Sequence, residues 1–259
     1  PVKIKDNLSM NANHSGDIQL SANIDGSSLN EIHIEAMNSG HVSADLTGSI
    51  DVTGGIFVSV DASSNALLQL GPMDYGFGNV SIFNNNYLVF DHASLTINES
   101  GHSNNAHIHQ FYLGSESGSH VQGTVDGLYL SDANYARDDY NLDSDNQFYR
   151  FIHNAHSISG DIGLNAEHHA TLSLSGHLNH DELHNISIDA TDHSNIDLNL
   201  SASSVDISGD LYVKAMFSSE IDANINNVNL FGNIYAVALF DSSVTLNLYL
   251  ESDSLSNID

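Results

Sequence analysis

The sequence predicts an all-β chain, a parallel β-solenoid built on an internal duplication, and three observations carry that expectation. Apolar and polar residues alternate along most of the chain, the period of a strand with one face inward. Residues 161–200 laid over residues 7–46, a shift of 154 positions, keep that alternation while the polar face drifts, and farther on Gly54 answers Gly209 and Gly78 answers Gly232, as in a duplicated packing unit. Only Pro1 and Pro72 occur, against roughly 5% in an average protein. Solenoid strands are bonded on both sides and need nearly every N–H, which excludes proline. A pair of β-sandwich-like repeats is the alternative, but sandwiches have edges and longer loops that tolerate it.

The elements follow in order. Residues 17–24 (Asp-Ile-Gln-Leu-Ser-Ala-Asn-Ile) alternate strictly, as do 31–35, 49–52, 56–60, 80–82 and 94–97. In the second copy 171–174, 185–188 and 244–250 do the same. Breaks are expected at Asp25-Gly26, Asn38-Ser-Gly40, Gly54-Gly55 and Ser208-Gly209, whose residues tolerate positive φ. Equivalent inward residues include Leu8 and Ile162, Ile18 and Leu172, Ile24 and Leu178, Ile32 and Ile186, and Ile34 and Ile188. Of these, Ile18, Ile24, Ile32, Ile34, Leu172, Ile186 and Ile188 are expected in the core. Phe77-Gly-Asn-Val80 answers Phe231-Gly-Asn-Ile234. Rungs of about 20 residues would give roughly a dozen turns. The organisation expected is a first repeat over residues 1–100, an unduplicated middle over 101–154, and a second repeat over 155–259. The middle holds both arginines and five of the ten tyrosines, and reads as further rungs plus one excursion over residues 131–150.

The formal net charge of −28, with 33 acidic residues against five Lys and Arg, excludes nucleic acid as a natural partner. No run of 18 apolar residues occurs, so no membrane-inserted helix is expected. Cysteine is absent, which removes disulfides, thiolate chemistry and Cys-ligated metals. Salt outside a cell would screen so acidic a surface.

Two clusters could hold cations. Asp139, Asn141, Asp143 and Asp145 place oxygen ligands two apart, as at the start of a calcium loop. Ser144 and Arg150 stand where an EF-hand has Gly and Glu, which makes the match weak, and a solvated acidic turn is the plainer reading of the run. The sixteen histidines include His107 and His109 on one strand face, and the run His168, His169, His177, His180 and His184. Imidazoles so grouped suit zinc, nickel or copper. Against this, histidine also serves as a plain polar residue in a chain that avoids Lys and Arg. No cofactor is required by any motif, and calcium or zinc are the ions to test. No nucleophile elbow or phosphate loop occurs, and no enzyme is expected.

The run Gly48-Ser-Ile-Asp-Val-Thr-Gly-Gly-Ile-Phe-Val-Ser-Val-Asp61 resembles the β-solenoid repeats of secreted microbial surface proteins, such as filamentous-haemagglutinin-type adhesins and autotransporter passengers. The resemblance is one of texture along the chain. It implies an exported structural or adhesive protein at or beyond the cell surface. The first expectation is therefore a structural protomer that joins copies of itself head to tail into a filament, sheath or surface layer. Val2, Lys3, Ile4 and Lys5 would supply a cationic strand for an acidic neighbour; they could equally form the first rung of their own subunit. A glycan-binding adhesin module is the alternative, and a polysaccharide-active β-helix enzyme a distant third.

Overall fold

The computed structural model describes residues 4–24, 27–74, 83–100, 108–128, 161–178, 182–183, 185–250 and 257–258. Among them there is no helix, and every ladder is parallel. The chain is an all-β solenoid. Its strands are β1 (Lys5–Asn13), β2 (Asp17–Asn23), β3 (Ser27–Met37), β4 (His41–Val60), β5 (Asn65–Asp74), β6 (Phe83–Val89), β7 (Ser94–Ser100), β8 (Ile108–Glu116) and β9 (His120–Leu128). They continue as β10 (Asp161–Glu167), β11 (Thr171–Leu178), β12 (Glu182–Leu183), β13 (Ile186–Thr191), β14 (Asn195–Ile207), β15 (Leu211–Met216), β16 (Glu220–Leu230), β17 (Asn233–Leu239), β18 (Ser243–Leu250) and β19 (Asn257–Ile258).

Two long columns of strands run through the described residues, with a short third one between them in which β12 pairs the end of β14 and the end of β14 pairs the end of β16. The first stacks β1, β3, the second half of β4, β6, β8, β10, β13, β15, β17 and β19. The second stacks β2, the first half of β4, β5, β7, β9, β11, β14, β16 and β18. Period-two alternation sends one side chain in two between the columns, where Ile24, Ile32, Ile34, Leu46, Ile56, Ile186, Ile188, Leu198 and Ile221 are wholly buried.

The register sets the turn length. Leu8 lies beside Ile32 and Ile32 beside Ile56, offsets of 24. Val58 lies beside Tyr87, an offset of 29, and Tyr87 beside Leu113, an offset of 26. Ile162, Ile186, Leu211 and Ile234 succeed one another at 24, 25 and 23. A turn is thus longer than the expected 20-residue rung, and the turns are fewer than a dozen. The reason is that each turn adds a short third stretch between its two longer strands, paired as Leu29–Val52, Ile50–Met73, Leu183–Ile207 and Val205–Val228. One offset is larger: Leu113 lies beside Leu164, 51 positions on. The extra length falls in residues 129–160, outside the described residues. The five offsets from β1 to β10 together make the 154-position shift, so the two copies are successive stretches of one stack. The first part of the middle segment, β8 and β9, is a turn of that same stack.

Three local expectations are corrected. Gly54-Gly55 does not break the chain but lies inside the 20-residue β4. There the pairing moves from Leu29–Val52 to Glu31–Gly55, a bulge that carries one strand from the second column to the first. Pro72 lies inside β5, opposite a register shift between Thr47 and Ile50, where no ladder N–H is demanded of it. Ile18 is half-buried rather than buried, because β2 has a strand partner on one side only, β4.

One bend of each turn has a fixed form. Two successive residues take positive φ: His14 and Ser15, Asn38 and Ser39, Ala62 and Ser63, Asp91 and His92, Ser117 and Gly118, and onward to Phe240 and Asp241. A bond from the residue after the pair closes the bend, as in Gly16 N to Asn13 O (3.0 Å), Gly40 N to Met37 O (2.9 Å) and Ala93 N to Phe90 O (3.1 Å). This is the arrangement of a type I′ turn. Adjacent bends are tied by further bonds, such as Ser15 N to Asn38 O at 3.1 Å. Just inside, Ser64, Ser194 and Ser219 are buried, and their hydroxyls accept from Gly40 N, Ala170 N and Ser194 N, each at 3.1 Å. Small residues at this column bring the bend onto the core, and the hydroxyls satisfy amides that would otherwise be buried without partners.

Candidate metal centre

The positive-φ bends place two consecutive side chains on the outer corner of every turn, stacked at the turn spacing. Most corners carry Ser, Asn, Asp or Ala. Over two adjacent turns they carry His168-His169 and Asp192-His193, which belong to the residues that enter the left-handed region most readily after Gly and Asn. The corner is held by the bond from His169 N to Asp192 O at 2.8 Å.

The result is a ladder of imidazoles and carboxylates. The rings of His169 and His193 stack, with centroids 4.9 Å apart and planes 26° from parallel. His193 Nδ1 lies 3.0 Å from Asp192 Oδ1. His168 Nε2 is 3.9 Å from Asp192 Oδ2, and its Nδ1 is 3.9 Å from Glu116 Oε1 and 4.0 Å from Glu167 Oε2. Two triads have ligand atoms within 4.8 Å of one another: His169, Asp192 and His193, and Glu116, Glu167 and His168. His92, Glu116, Ser117, Gly118, His168 and His169 line a shallow depression alongside. Gly118, at φ +71°, leaves room there: a Cβ on it would lie 3.0 Å from the His92 ring.

The electrostatics follow from these neighbours. Burial, then the Glu167 and Asp91 charges, hold the Glu116 carboxyl above its ordinary value, against the pull of His168. The His193 hydrogen bond, helped by the charges of His168, His169 and His193, holds the exposed Asp192 below its ordinary value, an anion ready to act as a ligand.

Of the residues singled out from sequence, His168 and His169 lie in this ladder. His177 does not: it is on β11 in the other column, with Nδ1 2.9 Å from Ser201 Oγ. His109 lies on β8, its side chain outside the described residues, as are His107, His180 and His184. The run Asp139, Asn141, Asp143 and Asp145 is also outside them. Ile4 is half-buried against the core and exposed Lys5 opens β1 opposite Ser28, so both begin their own first turn; Val2 and Lys3 lie outside. Glu116, Glu167, Asp192 and His193 were missed. The available signal was His168-His169 followed 24 positions later by Asp192-His193, which is informative only once the turn length is known.

A second charged pair lies nearby on the outer side of the first column. Lys214 Nζ donates to Asp189 Oδ2 at 2.9 Å, and the Asp189 side chain is 6% exposed. Burial holds the Asp189 carboxyl above its ordinary value, and Lys214 draws it back. Lys214→Met is expected to cost about 3 kcal/mol at pH 7, the low end for breaking a buried pair because Lys214 is partly exposed. With the raised folded value, the folded chain binds the proton before the unfolded one. Without Lys214 the folded value lies higher still, so the loss should shrink as pH falls from the variant's folded value to the parent's. Urea unfolding across a pH series checks this; a loss that stays constant over the whole acid range would show that Asp189 is not the cause.

The chain matches no protein-family model, no curated protein and no solved structure.

Proposed function

We propose that the chain is a structural protomer of an extracellular assembly and joins copies of itself end to end, turn upon turn. The observation that carries this reading is the state of the outermost described turns. Among the described residues, inner strands have ladder partners on both sides, whereas the ladder of β2 is with β4 and that of β18 with β16. The inward rows of those two strands, Ile18, Leu20 and Ala22 at one end and Val244, Leu246, Leu248 and Leu250 at the other, are half-exposed. Both rows continue the cross-section of the inner turns, so one copy's first turn is shaped to follow another's last. Open edges of this kind invite strand addition. The charge pattern suits it as well, with exposed Lys5 at the first end and Glu251, Asp253 and Asp259 following β18 in the sequence. Such contacts are heterologous and do not close, which gives filaments rather than dimers. The texture shared with secreted surface repeats agrees with a place outside the cell.

Sedimentation and electron microscopy across a concentration series test the reading. Polymers that grow with concentration, and that weaken when residues 1–5 are deleted while the β-sheet circular dichroism is kept, are the expected result. A chain that stays monomeric throughout ends the proposal.

One observation favours the adhesin reading as the second. Tyr212 and Tyr235 stack with centroids 5.1 Å apart and planes 8° from parallel on the outer face of β15 and β17. Phe217 and Phe240 stack at 4.7 Å on the adjoining corner. Val237 and Leu239 are exposed between them. Together they form an exposed apolar strip on an otherwise Asn-, Ser- and Asp-rich surface, the kind of patch that marks a binding face. A binding module would remain monomeric in the same sedimentation series.

A further inference from the structure

The geometry points to a zinc site on the outer corner of the solenoid, formed by His169 from one turn and by Asp192 and His193 from the next. The donor set is two imidazoles and one carboxylate, the three-ligand composition of open zinc sites, with further positions left to water. It favours zinc-like ions over calcium and magnesium, which prefer oxygen alone.

The distances fit an ion. Bonds of about 2.0 Å in a tetrahedral arrangement put two ligand atoms roughly 3.3 Å apart. His193 Nδ1 and Asp192 Oδ1 already lie 3.0 Å apart, and all three ligand atoms lie within 4.8 Å of one another. Closing the remainder requires the two stacked imidazoles to rotate toward the ion. The backbone beneath is fixed, since both pairs sit in closed bends of positive φ joined by the bond from His169 N to Asp192 O. His168 Nε2 lies 3.9 Å from the other Asp192 oxygen, within ion-pair reach but too far for a hydrogen bond. A zinc ion here bridges two successive turns and staples the stack from outside, where the hydrogen bonds of the bend are most exposed to water.

The test uses the full chain and zinc chloride alone. Calorimetric titration and thermal unfolding are run on the parent chain and on His169→Asn, His193→Asn and His177→Asn. Asparagine suits positive φ and removes a nitrogen ligand, so the corner variants should keep the metal-free melting temperature. One zinc per chain at this corner should raise the parent's melting temperature by mass action. His169→Asn and His193→Asn should each weaken that affinity at least tenfold, while His177→Asn, in the other column, leaves it unchanged. Cobalt(II) in place of zinc should give visible bands of a four-coordinate site that both corner variants abolish. Corner variants that keep the parent's affinity, or a parent whose melting is unmoved by zinc, overturn the assignment.

Discussion

Replacing Ile186 by Ala is expected to lower the unfolding free energy by about 2–5 kcal/mol, the range for deleting a large aliphatic side chain from a closed core. Ile186 is wholly buried and lies in register between Ile162 of β10 and Leu211 of β15. Apolar side chains therefore stand above and below it in the same row, and β-sheet bonds hold their spacing. The turns cannot collapse into the cavity without breaking ladders in both columns, which puts the cost toward the upper end of the range. Ile18→Ala is the control. Ile18 is half-buried and has a strand partner only in Val42, so it should cost less than half as much. Denaturant unfolding of the two variants checks this. Equal losses would mean that the end turn is packed as tightly as the inner ones, contrary to the burial of its residues.

Gly232→Ala should cost about 3 kcal/mol, at the upper end of the usual range for forcing volume into a packed site. Gly232 sits between β16 and β17 directly over Gly209 of the preceding turn. A Cβ built on it would lie 1.9 Å from Gly209 O and 2.5 Å from Gly209 C. These are backbone atoms of a neighbouring turn, so relief requires the two turns to separate. Bonds that hold them at that bend would stretch, among them Asn233 N to Asp210 Oδ1 at 2.7 Å and Phe231 N to Ile207 O at 2.9 Å. Gly118→Ala makes the comparison: its Cβ would meet only the His92 ring, which can swing away, although φ of +71° still penalises a side chain. It should cost about 1 kcal/mol. The same unfolding measurement serves, and a Gly232→Ala chain as stable as the parent would rule out the close approach.

Much of the fold was legible in the residues. Ile24, Ile32, Ile34, Leu172, Ile186 and Ile188 were expected inside from alternation alone, and each is buried. The bend at Asn38-Ser-Gly40 was legible because Asn, which takes positive φ there, and Gly are turn formers. The bend at His168-His169 was not, since histidine marks a turn less strongly than Asn or Gly and the pair is held by a bond to the next turn. The metal centre was half legible for the same reason. Two histidines could be named from their adjacency, but their partners Asp192 and His193 are adjacent only through the stacking.

Alternation, the glycine positions and the scarcity of proline are local properties, and by themselves they determined that this chain is a parallel β-solenoid with an inward apolar face. The tertiary structure alone decided the turn length, the strand that runs on through Gly54-Gly55, and which corner side chains meet. An alternating pattern specifies the face on which each residue lies but is satisfied by any even shift along a neighbouring strand. The shift chosen depends on where the bends close and which backbones approach at Gly209 and Gly232, and those contacts exist only once one turn lies upon another.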